Sequence, residues 1–345
     1  MSQLSAAPPL EASPGPVGWD TFTLHDAARD GRSIAVDVWY PAGPTDAPLV
    51  TYELLPEIAF ESANAHRRAP MSGTDHPLVI VSHGRTGMRF NYTLLCEALA
   101  ARGAIVVAGD HPGDGLFDWL GGTFVDDRTN EVNRVADTRF LLDCLLGDVP
   151  AAAVPVDVRQ AIDPARIATV GHSYGAYTGL AAAGGARGTP PETRIKAVIG
   201  LQPYTRSMSD SVLGRVHTPT LLVISEFDVT APASSDGERP WRLIPASPTW
   251  RLNLGASAHH ASSDMGLYLE LAQQRVDLPP MVAAYVAMMT AEMTGPHLRP
   301  WREGLVVQVQ VIWAFLDIVL ALDPARGEAQ ARLINALPDV ELLRR

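Results

Sequence analysis

The sequence predicts an α/β fold built on a mostly parallel, doubly wound sheet that begins with antiparallel strands. From residue 77 onward, short apolar runs alternate with helical patterns, which is typical of parallel strands joined by crossover helices. The runs are almost continuously apolar, and this indicates burial on both faces of the sheet. At 345 residues the chain is long enough to bury a sizeable core in one large domain.

The N-terminal region divides into a lead-in, a strand pair and an insertion. Residues 1–18 are Pro-rich and predict a flexible lead-in, so the single domain is expected over residues 19–345. The lead-in lacks the basic region and apolar core of a signal peptide, and we therefore expect a cytoplasmic location by default. Next, WDTFTLHD and RSIAVDVWYPA predict two antiparallel strands joined through Asp30-Gly31. The less regular stretch 48–76 predicts an inserted lid or pocket wall.

Six apolar runs predict the strands of the central sheet, and two stretches with helical spacing, 91–103 and 130–148, predict helices between the first three of them. The runs are PLVIVSHG (77–84), AIVVAGDH (104–111), RIATVGHS (166–173), KAVIGLQP (196–203), PTLLVISEFD (219–228) and TWRLNLGASAHH (249–260). In such sheets ligands bind beyond the carboxyl ends of the strands. Leu305–Leu322 predicts a buried helix rather than a membrane span, because Gln308, Gln310 and Asp317 would be costly in a bilayer.

Charge and composition exclude several classes of function. The formal net charge is -11, and no basic stripe or polybasic segment is visible, which argues against nucleic acid and anionic membranes as partners. The two cysteines, Cys96 and Cys144, lie in apolar helical stretches and are expected to be buried thiols. No motif with zinc-ligand spacing occurs, so no metal is expected. The polar residues of DHPGD (110–114) are interpreted as loop residues near the site.

The segment Gly171-His172-Ser173-Tyr174-Gly175 matches the pattern G-x-S-x-G. A strand pattern precedes it and small residues suited to a closely packed helix follow it. This context is typical of a nucleophile elbow, in which a strained strand-to-helix turn exposes the serine hydroxyl above the sheet. A structural turn that merely contains serine is the alternative. The context favours Ser173 as a nucleophile.

A serine nucleophile needs a histidine base and an acid that orients it. In chain order the acid and then the histidine follow the serine. His259 and His260 directly follow a predicted strand, whereas His217 precedes one and His297 has no strand to place it. One of His259 and His260 is therefore the expected base. The expected acid is Asp228, and the alternatives are Glu226 and the more distant Asp236.

The oxyanion formed by acyl transfer requires hydrogen-bond donors. Enzymes with this elbow use the main-chain N–H after the nucleophile and a second one from the loop after an earlier strand. These positions correspond to Tyr174 and to Arg85 in VSHGRTG (81–87). Because both donors are main-chain groups, the Arg85 side chain is not expected to be essential.

Four segments together resemble the α/β-hydrolase superfamily: VIVSHGRTG, GHSYGAYTG, SEFDVTAP and LGASAHHASSD. More narrowly, with VWYPA and AFLDIVLAL, the chain is similar to the group of predicted dienelactone hydrolases and platelet-activating-factor-acetylhydrolase-like esterases over about residues 30 to 325. The resemblance implies an α/β-hydrolase fold and a serine hydrolase that acts on carboxylic esters without metal or organic cofactor. It also implies His259 as the base, because family members have an Asp five positions after the histidine, and Asp264 stands there.

Four positions depart from named members of the superfamily. Acetylhydrolases resemble an arrangement with the acid after the preceding strand, where this chain has Gln202. Dienelactone hydrolases look like cysteine enzymes at the position of Ser173. Polyester hydrolases usually read His-Ser-Met-Gly-Gly at the elbow, and Tyr174 and Ala176 differ from that pattern. Because Gln202 is not a carboxylate, the acid is best placed on Asp228.

The leading hypothesis is a carboxylic-ester hydrolase with the catalytic residues Ser173, His259 and Asp228 and a small-molecule ester as substrate. The same site could transfer the acyl group to an acceptor other than water, and an α/β-hydrolase fold can also serve as a non-catalytic binding module. Substrate specificity is expected to depend on residues 48–76 and on the loop Gly115–Asp127, while the oligomeric state is left open. Candidate pocket residues are Trp119, Tyr204, Trp241 and Trp250.

Overall fold

A computed structural model describes residues 15–55, 58–275 and 277–345 of the chain. Within these residues, eleven strands form one sheet. In chain order the strands are β1 Val17–Asp26, β2 Arg32–Pro41, β3 Leu49–Leu55, β4 Ile58–Arg67, β5 His76–Ser82, β6 Ile105–Gly109, β7 Ile162–His172, β8 Ala197–Leu201, β9 Thr220–Ser225, β10 Thr249–Leu254 and β11 Val340–Arg344.

Helices cover both faces of this sheet. They are α1 Thr93–Ala101, α2 Leu116–Gly121, α3 Asp127–Leu146, α4 Val156–Gln160, α5 Tyr174–Gly184, α6 Asp210–Leu213, α7 Glu238–Leu243, α8 Met265–Ala272, α9 Pro280–Met293, α10 Trp301–Val319 and α11 Pro324–Ile334. Apolar residues of α1, α8, α10 and α11 pack on one face of the sheet, and those of α3, α4, α5 and α6 pack on the other. The predicted doubly wound α/β architecture is thus confirmed.

The strand order is β11-β10-β9-β8-β7-β5-β6-β2-β1-β4-β3. Strands β5 to β10 run parallel to one another, while β1 and β2 form the predicted antiparallel pair. Their connection passes through Asp30 and Gly31, which both have positive φ. Because β5, β7, β9 and β10 are parallel, the residues that follow them emerge at one edge of the sheet. This common edge carries the candidate site.

The structure corrects two expectations for the N-terminal half in part. The predicted lead-in ends too late, because β1 already begins at Val17, which pairs with Pro41; residues 1–14 lie outside the described residues. The stretch 48–76 is largely regular sheet rather than an irregular lid. Its strands β3 and β4 pair antiparallel, and β4 joins β1 in parallel. Alternate burial of side chains such as Ile58 and Phe60 explains why this segment forms a strand.

The C-terminal region is partly as expected. Helix α10 contains most of the apolar segment 305–322 and is buried, and its Asp317 pairs with Arg326 of α11. Among the described residues, no helix has the length and apolar character needed to span a bilayer. The sequence did not predict the edge strand β11, which pairs antiparallel with β10 and buries Leu342. Both cysteines, Cys96 and Cys144, are buried and unpaired, as expected.

Candidate active site

Ser173 lies in a sharp turn between β7 and α5. Its backbone has φ 54° and ψ -116°, a strained conformation for a residue with a side chain. The flanking glycines are required sterically: a Cβ on Gly171 would lie 2.1 Å from the main chain of Gly175, and one on Gly175 would lie 1.9 Å from the carbonyl oxygen of Ser82. The motif therefore forms the close-packed elbow that its strand–turn–helix context predicts.

Asp228 and His259 form a hydrogen-bonded pair at the ends of neighbouring strands. His259 Nδ1 lies 2.7 Å from Asp228 Oδ2, and both side chains are almost fully buried. The other carboxylate oxygen of Asp228 accepts hydrogen bonds from the main-chain N–H groups of Thr230 and Ala231, at 3.0 and 2.7 Å. This arrangement fixes the carboxylate so that neutral His259 carries its proton on Nδ1. Its Nε2 is consequently left as the basic nitrogen.

Ser173 and His259 line one cavity of about 380 Å³, together with residues of the loop 84–87. The hydrogen bonds of the described residues include the one between His259 and Asp228 but none between Ser173 and His259. Contacts of this kind are often long in enzymes without substrate and tighten in the complex. The structure thus brings the predicted nucleophile and the predicted base to the same cavity.

The alternative acids have other partners. Glu226 accepts a hydrogen bond from the N–H of Ala256, and Asp236 binds Arg206 and the N–H of Thr205. Asp264, the carboxylate that follows the histidine pair, accepts hydrogen bonds from the N–H groups at the start of α1. Burial raises the pKa of Asp264 well above its usual value. These contacts are structural, and Asp228 alone among these acids contacts a histidine.

The alternative base, His260, also lines the cavity. Burial and the neighbouring His259 lower the pKa of His260 to about 3. None of the described hydrogen bonds or ion pairs joins the His260 ring to a carboxylate, unlike that of His259. His260 is therefore a neutral wall of the cavity, and the geometry favours His259 as the base.

His172, the residue before the nucleophile, connects the loops around the cavity. Its Nε2 lies 2.7 Å from the carbonyl oxygen of His259, which can only accept, so this nitrogen donates. Its Nδ1 then accepts from the hydroxyl of Tyr92, and that hydroxyl oxygen accepts from the N–H of Gly84. Burial, together with His259 and His260, lowers the pKa of His172 well below its usual value. The pattern G-x-S-x-G specifies no residue type at this position, so the motif did not predict this role.

The two predicted oxyanion donors lie near Ser173. Tyr174 is the first residue of α5, so its N–H has no partner within the helix. Arg85 lines the cavity, and the preceding Gly84 is so close to the nucleophile that a Cβ there would lie 3.3 Å from Ser173 Cβ. The Arg85 side chain pairs with Asp127. Its main-chain N–H makes none of the described main-chain hydrogen bonds and is thus available as a donor.

An apolar cleft adjoins the cavity. Both are lined by Met265 and Tyr285, and the cleft also contains Trp119. Other residues of the cleft come from α2, α8 and α9, and from Leu54 of β3 and Ile58 of β4, so the loop 115–127 and the segment 48–76 both contribute to it. Tyr204, also a predicted pocket residue, belongs to neither lining and stacks on Tyr174 with a ring distance of 4.7 Å. Two predicted pocket residues are elsewhere: Trp250 packs in the core against Phe315, and Trp241 lies under Arg345.

Helix α9 covers the cavity and was not predicted to contribute to it. It supplies Tyr285, Met288, Met289 and Glu292 to the lining. One carboxylate oxygen of Glu292 is buried and has no hydrogen-bond partner among the described residues. Burial raises the pKa of Glu292; nearby Asp228 also raises it, and His259 opposes the shift. The sequence PPMVAAYVAMMTAEM carries no chemical motif, so only the packing of the helix identifies these residues.

This edge-of-sheet arrangement, with a strained serine and a histidine–aspartate pair, defines the α/β-hydrolase fold. A ferulic acid esterase from Streptomyces cinnamoneus has the same fold, with a TM-score of 0.72 over 96% of this chain and 97% of that chain, at 22% sequence identity. A family model described as PET hydrolase-like matches residues 133–274, which contain Ser173, Asp228 and His259. A second model, platelet-activating factor acetylhydrolase, isoform II, matches residues 50–115.

Curated relatives include cutinases. Cutinase est1 of Thermobifida alba is 28% identical over 206 residues, which cover 58% of this chain and 60% of the relative. Cutinase 2 of Thermobifida cellulosilytica is 26% identical over 193 residues, covering 56% and 63%. The chain thus spans less than two thirds of the length of these relatives. The predicted resemblance to α/β-hydrolase serine esterases, including the acetylhydrolase-like group, is confirmed, and the similarity to polyester hydrolases extends well beyond the elbow.

Proposed function

We propose that the protein hydrolyses carboxylic esters through an acyl-enzyme on Ser173. The observation that carries this proposal is the 2.7 Å contact between His259 Nδ1 and Asp228 Oδ2 at the cavity that holds the strained Ser173. A buried histidine with its proton on Nδ1 has a basic Nε2 directed away from the carboxylate. This is the state that a general base for a serine hydroxyl requires.

The reaction proceeds in two halves. Ser173 Oγ attacks the acyl carbon as His259 Nε2 takes its proton, and the N–H groups of Arg85 and Tyr174 bind the oxyanion. The intermediate collapses, and His259 donates the proton to the departing alcohol. Water then attacks the acyl-enzyme as His259 Nε2 takes a proton from it, and His259 returns that proton to Ser173 Oγ as the acid is released. Asp228 stabilises the imidazolium in both halves.

The substrate class follows from the apolar cleft beside the cavity. Its lining includes Trp119, Tyr285 and Leu269, and such surfaces bind aliphatic or aromatic groups. We infer an ester whose acyl or alcohol part carries an apolar or aromatic group, part of which enters this cleft of about 50 Å³. The names of the relatives, cutinase and ferulic acid esterase, agree with esters of this kind.

The test is hydrolysis of p-nitrophenyl esters from acetate to palmitate by the wild type and by Ser173→Ala. We expect turnover by the wild type, a chain-length optimum above acetate, and no turnover by the folded variant. A fluorophosphonate probe should label the wild type but not Ser173→Ala. A wild-type protein that hydrolyses no ester and resists labelling would contradict the proposal and favour a non-catalytic binding module.

A further inference from the structure

Beneath the loop that carries Arg85 lies a completely buried guanidinium, that of Arg134 on α3. Its Nη1 donates to the carbonyl oxygen of His83 at 2.7 Å, and its Nη2 donates to the carbonyl oxygen of Gly84 at 3.2 Å. Its Nε donates to Asp114 at 2.8 Å, so the charge is paired. The guanidinium also lies 5.5 Å from the ring centroid of Tyr174. One side chain thus contacts both segments that supply the candidate oxyanion donors.

The Gly84 carbonyl belongs to the same peptide unit as the Arg85 N–H. This peptide is trans, since Ser247–Pro248 is the cis bond among the described residues. In a trans peptide the C=O and the following N–H point in opposite directions. A carbonyl held towards the buried Arg134 therefore directs the Arg85 N–H to the other side, where Gly84 and Arg85 line the cavity.

Two further donors converge on the same carbonyl. The N–H of Gly87 lies 3.1 Å from it, and His83 Nδ1 lies 2.7 Å from it. His83 Nε2 accepts from the N–H of His111, so its proton is on Nδ1, which donates to Gly84. Burial lowers the pKa of His83 well below its usual value, in agreement with this neutral form. Hydrogen bonds to a peptide carbonyl polarise the unit and strengthen its N–H as a donor.

We propose that Arg134 is a positioning residue for catalysis: it orients the Gly84–Arg85 peptide so that the Arg85 N–H binds the oxyanion. Arg134 does not touch the substrate, and its role rests on the proposed ester hydrolysis. Loss of the Arg134 side chain should therefore reduce stabilisation of the transition state more than it reduces substrate binding. Loss of one oxyanion donor typically lowers kcat by about 100- to 1000-fold.

The experiment compares the wild type with Arg134→Lys and with the double variant Arg134→Met/Asp114→Asn, which leaves no unpaired buried charge. We expect kcat for p-nitrophenyl butyrate to fall about tenfold or more in the double variant, less than for a lost donor because His83 and Gly87 still hold the carbonyl, with KM within about threefold of the wild type. The affinity for an alkyl trifluoromethyl ketone, which forms an oxyanion on Ser173, should fall by a similar factor. Arg134→Lys should be intermediate, because an ammonium cannot hold both carbonyls and Asp114 in the same planar geometry.

A remote pair controls for the general effect of losing a buried ion pair. Arg326→Met/Asp317→Asn removes a pair between α10 and α11 and should lower the melting temperature while kcat stays unchanged. Assays are run well below the melting temperature of each variant. The proposal is overturned if the folded Arg134 double variant keeps kcat within about threefold of the wild type, or if kcat falls while ketone affinity is unchanged. If the wild type itself is inactive and resists fluorophosphonate, the proposed function fails instead.

Discussion

Replacement of Asp228 by asparagine should reverse the proton arrangement on His259. Asp228 Oδ1 accepts two main-chain hydrogen bonds, from Thr230 and Ala231, and Oδ2 faces His259 Nδ1. An asparagine at this position must keep its oxygen on the two N–H donors, because its NH2 group would repel them. The NH2 group then faces His259 Nδ1, which becomes an acceptor. The proton moves to Nε2, and His259 can no longer accept the proton of Ser173.

The expected loss in Asp228→Asn is large and lies in the chemical step. A histidine held in the wrong tautomer typically lowers kcat about 10⁴-fold, which corresponds to about 5 kcal/mol in activation free energy. KM and the melting temperature should change little, since the two main-chain hydrogen bonds are kept. The assay is steady-state hydrolysis of p-nitrophenyl butyrate, with thermal unfolding measured on the same samples.

Glu226→Gln is the matched control for this variant. Glu226 lies at the end of the same strand but bonds the N–H of Ala256 rather than a histidine. It should keep kcat within about threefold of the wild type. The reasoning would be refuted by a folded Asp228→Asn protein with kcat within tenfold of the wild type. An equal loss of kcat in both variants would show that contact with His259 does not identify the catalytic acid.

Three further predictions concern the histidines and the apolar cleft. His259→Ala should lower kcat at least 1000-fold, while His260→Ala should keep more than a tenth of it, as measured on p-nitrophenyl butyrate; the reverse order would reassign the base. Trp119→Ala should raise KM about tenfold for octanoate but not for acetate esters, because the cleft contacts only the longer chain. Burial lowers the pKa of His83 and His172. Below about pH 6.5 an unfolded histidine binds a proton and these buried ones do not, so each should lower the stability as the pH falls, by on the order of 1 kcal/mol per pH unit, while the raised pKa of Asp264 acts in the opposite direction. Urea unfolding of the wild type and of His83→Gln should therefore differ in pH dependence between about pH 7.5 and 5.5; identical pH dependence would contradict this.

The sequence by itself determined the central fold and the elbow, because both depend on local patterns. Continuous apolar runs between helical patterns predict parallel strands buried on both faces, and the structure agrees from β5 to β10. The glycines on either side of Ser173 predict a turn that tolerates no side chain, and the close approach of Ser82 to Gly175 explains that requirement. Placement at strand ends was enough to nominate Asp228, because all parallel strands end at one edge.

Tertiary structure decided everything that depends on contacts between distant segments. The sequence could not separate His259 from His260 without a family resemblance, whereas only His259 of the two contacts Asp228. Strands β4 and β11 were missed because their partners β1 and β10 lie far away in the chain, and β3 was missed because it joins the sheet only through β4, with register shifts in their pairing. Helix α9 and Arg134 carry no motif, and their positions follow from packing alone. A side chain gains its role at this site from the groups that folding brings beside it, and local sequence does not encode those neighbours.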